Sequence, residues 1–243
     1  MTKKNQILNR VPRKLAIQNK VDDDKTVKLS LHGDIGTAWY DSISLKDIQR
    51  TLKGVTAETL EVHINSYGGD VFESIAIHNY LMYERTEKIV TFTDGIAASG
   101  GSIIFMAGDD RIMPANTQLM IHNPWTVTWG NAKELRLVAN RLEKTQTSLE
   151  ETYMAKFVGA VEELKTLLDQ EEHLTAEESL AFGFATEVVR EVVIEDPKGQ
   201  EETIKNTLFE KYAASKVKPQ DQEIPGNKET ANTNIIKNFI NNF

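Results

Sequence analysis

Hydrophobic and polar positions along the chain fall into short alternating runs separated by glycine-rich breaks and by stretches with helical spacing. The run Val27-Lys-Leu-Ser-Leu-His-Gly-Asp-Ile-Gly36 alternates and then stops at glycines, which predicts a strand ending in a loop. Ser44 stands where it caps a short helix with Leu45, Ile48 and Leu52 on one face, closed by Gly54. Leu60-Glu-Val-His-Ile64 alternates again and runs into the turn-rich loop Asn65-Ser-Tyr-Gly-Gly-Asp70. A helical stretch follows, with Val71, Ile75, His78 and Leu81 near one face. Lys88-Ile-Val-Thr-Phe92 predicts a third strand, and the stretch from Ile96 to Ala107 predicts a small-residue turn leading into an apolar helix. Gln118-Leu-Met-Ile121 reads as a buried strand that delivers His122. Strands alternating with helices in this order define an α/β class with mainly parallel pairing.

From Asn131 to Phe157 no Pro or Gly interrupts an amphipathic pattern carried by Leu135, Val138, Leu142, Leu149 and Phe157. A helix of that extent would be roughly 40 Å long at 1.5 Å per residue. This is more than a domain of this size needs for its own cover, so part of it is expected to pack on another subunit. Thr175-Ala-Glu-Glu178 is a capping box opening a short helix that ends at Gly183, and Glu187-Val-Val189 resumes a strand. Beyond Ile194 the chain turns polar, with Pro197, Pro219, Pro225 and, from Asn227 onward, six Asn. Three parts follow: a basic arm over 1–20, a body over 21–195 and a flexible polar tail over 196–243.

The whole-chain net charge of −8 hides a split, because residues 1–20 hold six basic residues and no acid, leaving −14 for the remainder. Ile7, Leu8 and Val11 are interrupted by polar residues, so the basic start lacks the apolar core of a signal peptide. The acidic body argues against nucleic acid as a partner. No apolar run of about 18 residues is present, which argues against a membrane span. The 243 residues include no cysteine, which excludes cysteine nucleophiles, disulfides and Cys-based zinc or iron–sulfur sites and allows a reducing, cytoplasmic setting.

Three segments converge on nucleophilic hydrolysis. In Ala97-Ala-Ser99-Gly100-Gly101 a serine flanked by small residues at a turn into a helix can present its hydroxyl unobstructed, with free N–H groups beside it. This is not the G-x-S-x-G elbow, since Ala97 occupies the first glycine position. In Met120-Ile-His122-Asn-Pro124 a histidine at a strand end, fixed by an Asn-Pro turn, suits a positioned general base; a plain hydrogen-bonded strand-end histidine is the alternative. His32, His63, His78 and His173 have no better context. In Asn65-Ser-Tyr-Gly68-Gly69-Asp70 consecutive glycines after a strand let backbone N–H groups face a ligand oxygen, although an ordinary turn would look the same.

Taken with Leu174-Thr-Ala-Glu-Glu178 and Phe182-Gly183, these segments make the chain resemble the ClpP-type serine peptidases over roughly 27–190, and in particular their phage head-maturation (prohead) relatives. The resemblance implies a crotonase-like spiral of ββα units with the long helix as a handle between subunits, and homo-oligomeric rings. It implies Ser99 as nucleophile, His122 as general base, and the N–H groups of Gly68 or Gly69 and of Gly100 as the oxyanion hole. The family's aspartate position holds Glu171 here, with Asp169 the close alternative and Glu172 less favoured. No metal or organic cofactor is implied. The implied substrates are capsid or scaffold proteins, cleaved in the host cytoplasm or inside the procapsid. The rivals are a housekeeping Clp subunit working with an ATPase, a crotonase-like acyl-CoA enzyme, and an inactive scaffold ring.

Overall fold

The computed structural model describes residues 11–20, 23–37 and 41–190. The tail over 196–243 lies outside these residues, as does the first half of the basic arm. The other half is strand β1 (Lys14–Lys20), paired antiparallel to β2 (Asp23–His32) with Leu15 opposite Leu31 and Ile17 opposite Leu29. The sequence pattern places these residues in the basic arm. Instead the backbone is tied into the sheet, and Arg13 reaches across to the Ser42 carbonyl at 3.3 Å and to Asp47 at 3.6 Å.

The core sheet grows from β2 to β3 (Thr59–Ser66) and β4 (Lys88–Ala98), all parallel, with Leu29 opposite Val62 and Val62 opposite Thr91. Period-two alternation sends Leu29, Leu31, Leu60, Val62 and Ile64 to one buried face. Helices α1 (Leu45–Thr51), α2 (Val71–Asn79) and α3 (Gly100–Phe105) supply Ile48, Ile77, Ile103, Ile104 and Phe105 to the same core. Ser44 caps α1 in a full capping box with Asp47, and Asp70 caps α2 through Glu73 N. The helical spacing to Leu81 continues past α2 as a π-helical turn, Tyr80–Glu84.

Strand β4 pairs with two successive strands, so the single eight-stranded sheet branches there. Its residues 90–92 pair with β5 (Asp110–Pro114), whereas residues 96–98 pair with β6 (Gln118–Met120). Between them Asp94 and Gly95 lie in an irregularity of the β3–β4 ladder, where Asn65 Oδ1 accepts from Ile96 N at 3.3 Å. Such a bulge bends the strand and redirects its end. The pattern expects a turn from Ile96; the structure instead carries the strand to Ala98, directly into Ser99.

Helix α4 (Ala132–Met154) begins at Asn131 in a capping box with Glu134. It stops short of Phe157, and of the expected apolar stripe Leu149 is buried, Val138 and Leu142 are half-buried and Leu135 is exposed. Among the described residues, α4 is anchored at its C-terminal end, where Tyr153 joins Phe157, Phe182 and Phe184 in an aromatic cluster with neighbouring ring centroids 5.4–6.4 Å apart. Two elements that the pattern does not mark complete this side, α5 (Val161–Gln170), with Leu164, Leu167 and Leu168 buried, and β7 (His173–Thr175). The expected capping box of Thr175 and Glu178 opens α6 (Ala176–Ala181), and β8 (Glu187–Val189) pairs with β5.

Candidate active site

Ser99 follows β4 and precedes α3 with φ 52° and ψ −121°. That conformation is costly for a residue with a Cβ, of order 1–3 kcal/mol, and persists only where the surroundings enforce it. Two constraints do so directly. Ser99 N donates to Met120 O at 2.9 Å, and Ser99 O accepts from the amides of Ser102 and Ile103 at 2.9 and 3.2 Å. The first ties the serine to the end of β6, two residues before His122. As a result His122 Nε2 lies 2.7 Å from Ser99 Oγ.

His122 is 8% exposed, and burial pushes its pKa below the ordinary 6.5, opposed by the charge of Glu171. That charge arrives by strand register. β6 and β7 are antiparallel, with Leu119 opposite Leu174 and Met120 opposite His173. The pairing ends there, two residues short of both His122 and Glu171, and so brings the two segments side by side. Glu171 is the C-cap of α5 at φ 52°, and it and Ser99 are the two non-glycine residues with positive φ among those described. The other candidate acid is turned elsewhere: Asp169 Oδ1 accepts from Asn123 Nδ2 at 2.6 Å.

The glycine loop closes the other side. A Cβ on Gly68 would fall 2.5 Å from Gly100 N and 2.7 Å from Ser99 Cβ, so this approach is open to glycine alone. The two glycines are not equivalent, because Gly68 N already donates to Ser66 Oγ at 3.0 Å. Gly69, at φ 149°, and Gly100, the first residue of α3, show no partner for their N–H groups among the described residues. With only six residues, α3 adds little dipole, so the N–H groups themselves are what the turn offers. A Cβ on Gly69 would collide with the Ile35 carbonyl, which is backbone and cannot swing away. Gly69→Ala is therefore expected to lower stability by about 2–4 kcal/mol. A melting curve checks this, and an unchanged midpoint would contradict it.

The remaining histidines stand apart. His32 Nε2 and His63 Nδ1 share Asp94 at 2.9 and 2.6 Å on the sheet face opposite the core. His78 is buried beside Asn79, and His173 Nδ1 lies 3.3 Å from Gln118. Among the described residues, no group of three or more His, Asp or Glu is arranged to hold a metal ion, and no helix is long and apolar enough to cross a membrane. Two residues at the site have no sequence signal of their own: Ser102 and Tyr153, whose hydroxyls meet 2.8 Å apart beneath Ser99.

The fold is an α/β body built on a mostly parallel sheet, with Ser99 on a strained strand-to-helix turn facing His122. The Clp protease family model matches residues 52–192, more than half of the chain, and the chain belongs to that family. It is a ClpP-type peptidase, of a family whose members form oligomeric rings and act on protein substrates.

Proposed function

We propose that the chain is a serine endopeptidase in which Ser99 attacks the scissile carbonyl and His122 takes its proton. The observation that carries this reading is the 2.7 Å contact between His122 Nε2 and Ser99 Oγ on a backbone turn held at φ 52°. In the first step the Ser99 oxygen bonds to the carbonyl carbon while the N–H groups of Gly69 and Gly100 hold the developing oxyanion. The imidazolium then gives its proton to the leaving amine, and water, activated by the same imidazole, releases the acyl-enzyme. Glu171 is the carboxylate that stabilises the imidazolium; Asp169 has the structural task of fixing Asn123. An acyl-CoA hydratase would have no use for a serine–histidine pair at this distance.

The substrates we assign are capsid or scaffold proteins of a phage head, with the chain working as a homo-oligomeric ring. Three features support this: the Gly68-Gly69-Asp70 loop, glutamate rather than aspartate at 171, and the long polar extension over 196–243. The test is incubation with a capsid precursor without nucleotide. Fragments are expected with the natural chain and none with Ser99→Ala; cleavage only with an added ATPase and nucleotide would point to the housekeeping role.

Because His122 must be neutral to act as base, its lowered pKa extends activity toward acid. The acid limb of kcat/KM is expected to have its midpoint below 6.5, the ordinary histidine value. Glu171→Gln removes the influence that raises the pKa, so that midpoint should fall further, whereas Asp169→Asn should leave it in place. A limb that rises above 6.5 in the natural chain would contradict this reading of His122.

A further inference from the structure

The carbonyl oxygen of Ser99 accepts a third hydrogen bond, from Ser102 Oγ at 2.6 Å. Ser102 Oγ also lies 2.8 Å from the Tyr153 hydroxyl. A serine hydroxyl has one proton, and Ser102 donates it to Ser99, so the phenol is the donor in the second bond. Tyr153 sits 1% exposed at the anchored end of α4, and burial raises its pKa well above the usual phenol range, so it keeps its proton at any working pH. The relay therefore runs in one direction, from Tyr153 to Ser102 to the Ser99 carbonyl.

That carbonyl belongs to the same planar unit as the N–H of Gly100. In a trans peptide the C=O and N–H point in opposite directions, so fixing one aims the other. The Gly100 nitrogen faces the Gly68–Gly69 loop, close to where a Cβ of Gly68 would fall. We propose that Ser102 and Tyr153 are positioning residues that set the plane of the Ser99–Gly100 peptide and so aim the Gly100 N–H at the reacting carbonyl oxygen. The inference rests on the reading of Ser99 as nucleophile and Gly100 as oxyanion donor. It adds that α4, exposed along its N-terminal part, is wired at its other end to the transition-state contacts. Neither residue touches substrate. Their effect belongs to the transition state, where the oxyanion forms, more than to substrate binding.

The experiment measures kcat and KM for a peptide substrate, and affinity for a peptide boronate that mimics the tetrahedral state, in Tyr153→Phe, Ser102→Ala and the double variant. Rates are normalised to the fraction of Ser99 that a fluorophosphonate labels, so misfolded protein does not count. Each single variant is expected to lower kcat about tenfold, the scale of one hydrogen bond, with KM unchanged and boronate affinity lowered by the same factor. The double variant should be no slower than Ser102→Ala, because both cuts break one relay. Wild-type kcat and boronate affinity in both variants, a change in KM alone, or independent losses that multiply would overturn the proposal. If the natural chain cleaves but Ser99 is not labelled, the underlying reading of the site fails instead. Ser102→Ala, the smaller cut, decides the matter if Tyr153→Phe does not fold.

Discussion

Ser99→Ala is expected to lower kcat for peptide hydrolysis by about 10⁶-fold, the scale on which serine peptidases lose rate when nucleophile or base is removed. The substitution deletes the hydroxyl oxygen of a half-buried residue and its bond to His122 Nε2 and leaves every backbone bond of the turn in place. It also leaves the Cβ, so the strain at φ 52° remains and the fold should melt within about 1 kcal/mol of the natural chain. His122→Ala should cost a similar factor. The double variant should be no slower than either single one, because the two side chains act as a unit. Rates of purified variants on one peptide substrate check this. A Ser99→Ala chain retaining a tenth of the rate would remove the nucleophile assignment.

Glu171→Gln is expected to lower kcat by about 10²-fold, and Asp169→Asn by less than about twofold. Glutamine keeps the shape and hydrogen-bonding reach of the side chain but not the charge that favours imidazolium. Glu171 is exposed, so solvent screens that charge, and the loss should be smaller than for a buried aspartate in the same role. Asp169→Asn loses the ionic character of a bond to Asn123, which orients the residue after His122 but does not act on the imidazole in the manner of Glu171. Kinetics of the two variants side by side separate the carboxylates. Equal losses would mean that both hold the histidine loop and neither is the acid.

Much of the fold is legible in the sequence. Alternation in β2 and β3 is strong because one face is fully apolar and the other carries Lys28, Ser30, Glu61 and His63. Ser99 and His122 were legible because small residues and an Asn-Pro turn mark both ends of one bond. The misses have distinct physical causes. β4 looks finished at Phe92 because Asp94-Gly95 imitates a turn, whereas the pair forms a bulge within a continuing strand. β1 reads as a basic arm because its lysines are compatible with an edge strand and its pairing is supplied by β2. The choice between Glu171 and Asp169 depends on how β7 registers against β6, a long-range fact without local trace. The glycine loop offers two candidate oxyanion donors, and the bond from Gly68 N to Ser66 Oγ separates them. Tyr153 is not among the apolar positions that mark the long helix in the sequence; that its hydroxyl meets Ser102 next to Ser99 is set by how α4 docks.

The central claim, that Ser99 is a nucleophile activated by His122, is tested most directly by fluorophosphonate labelling followed by mass spectrometry of the modified peptide. The label is expected on Ser99 in the natural chain, and its rate should collapse in His122→Ala. A chain that cleaves peptide with Ser99 unmodified, or that takes the label on Ser66, Ser74 or Ser102 instead, would contradict it.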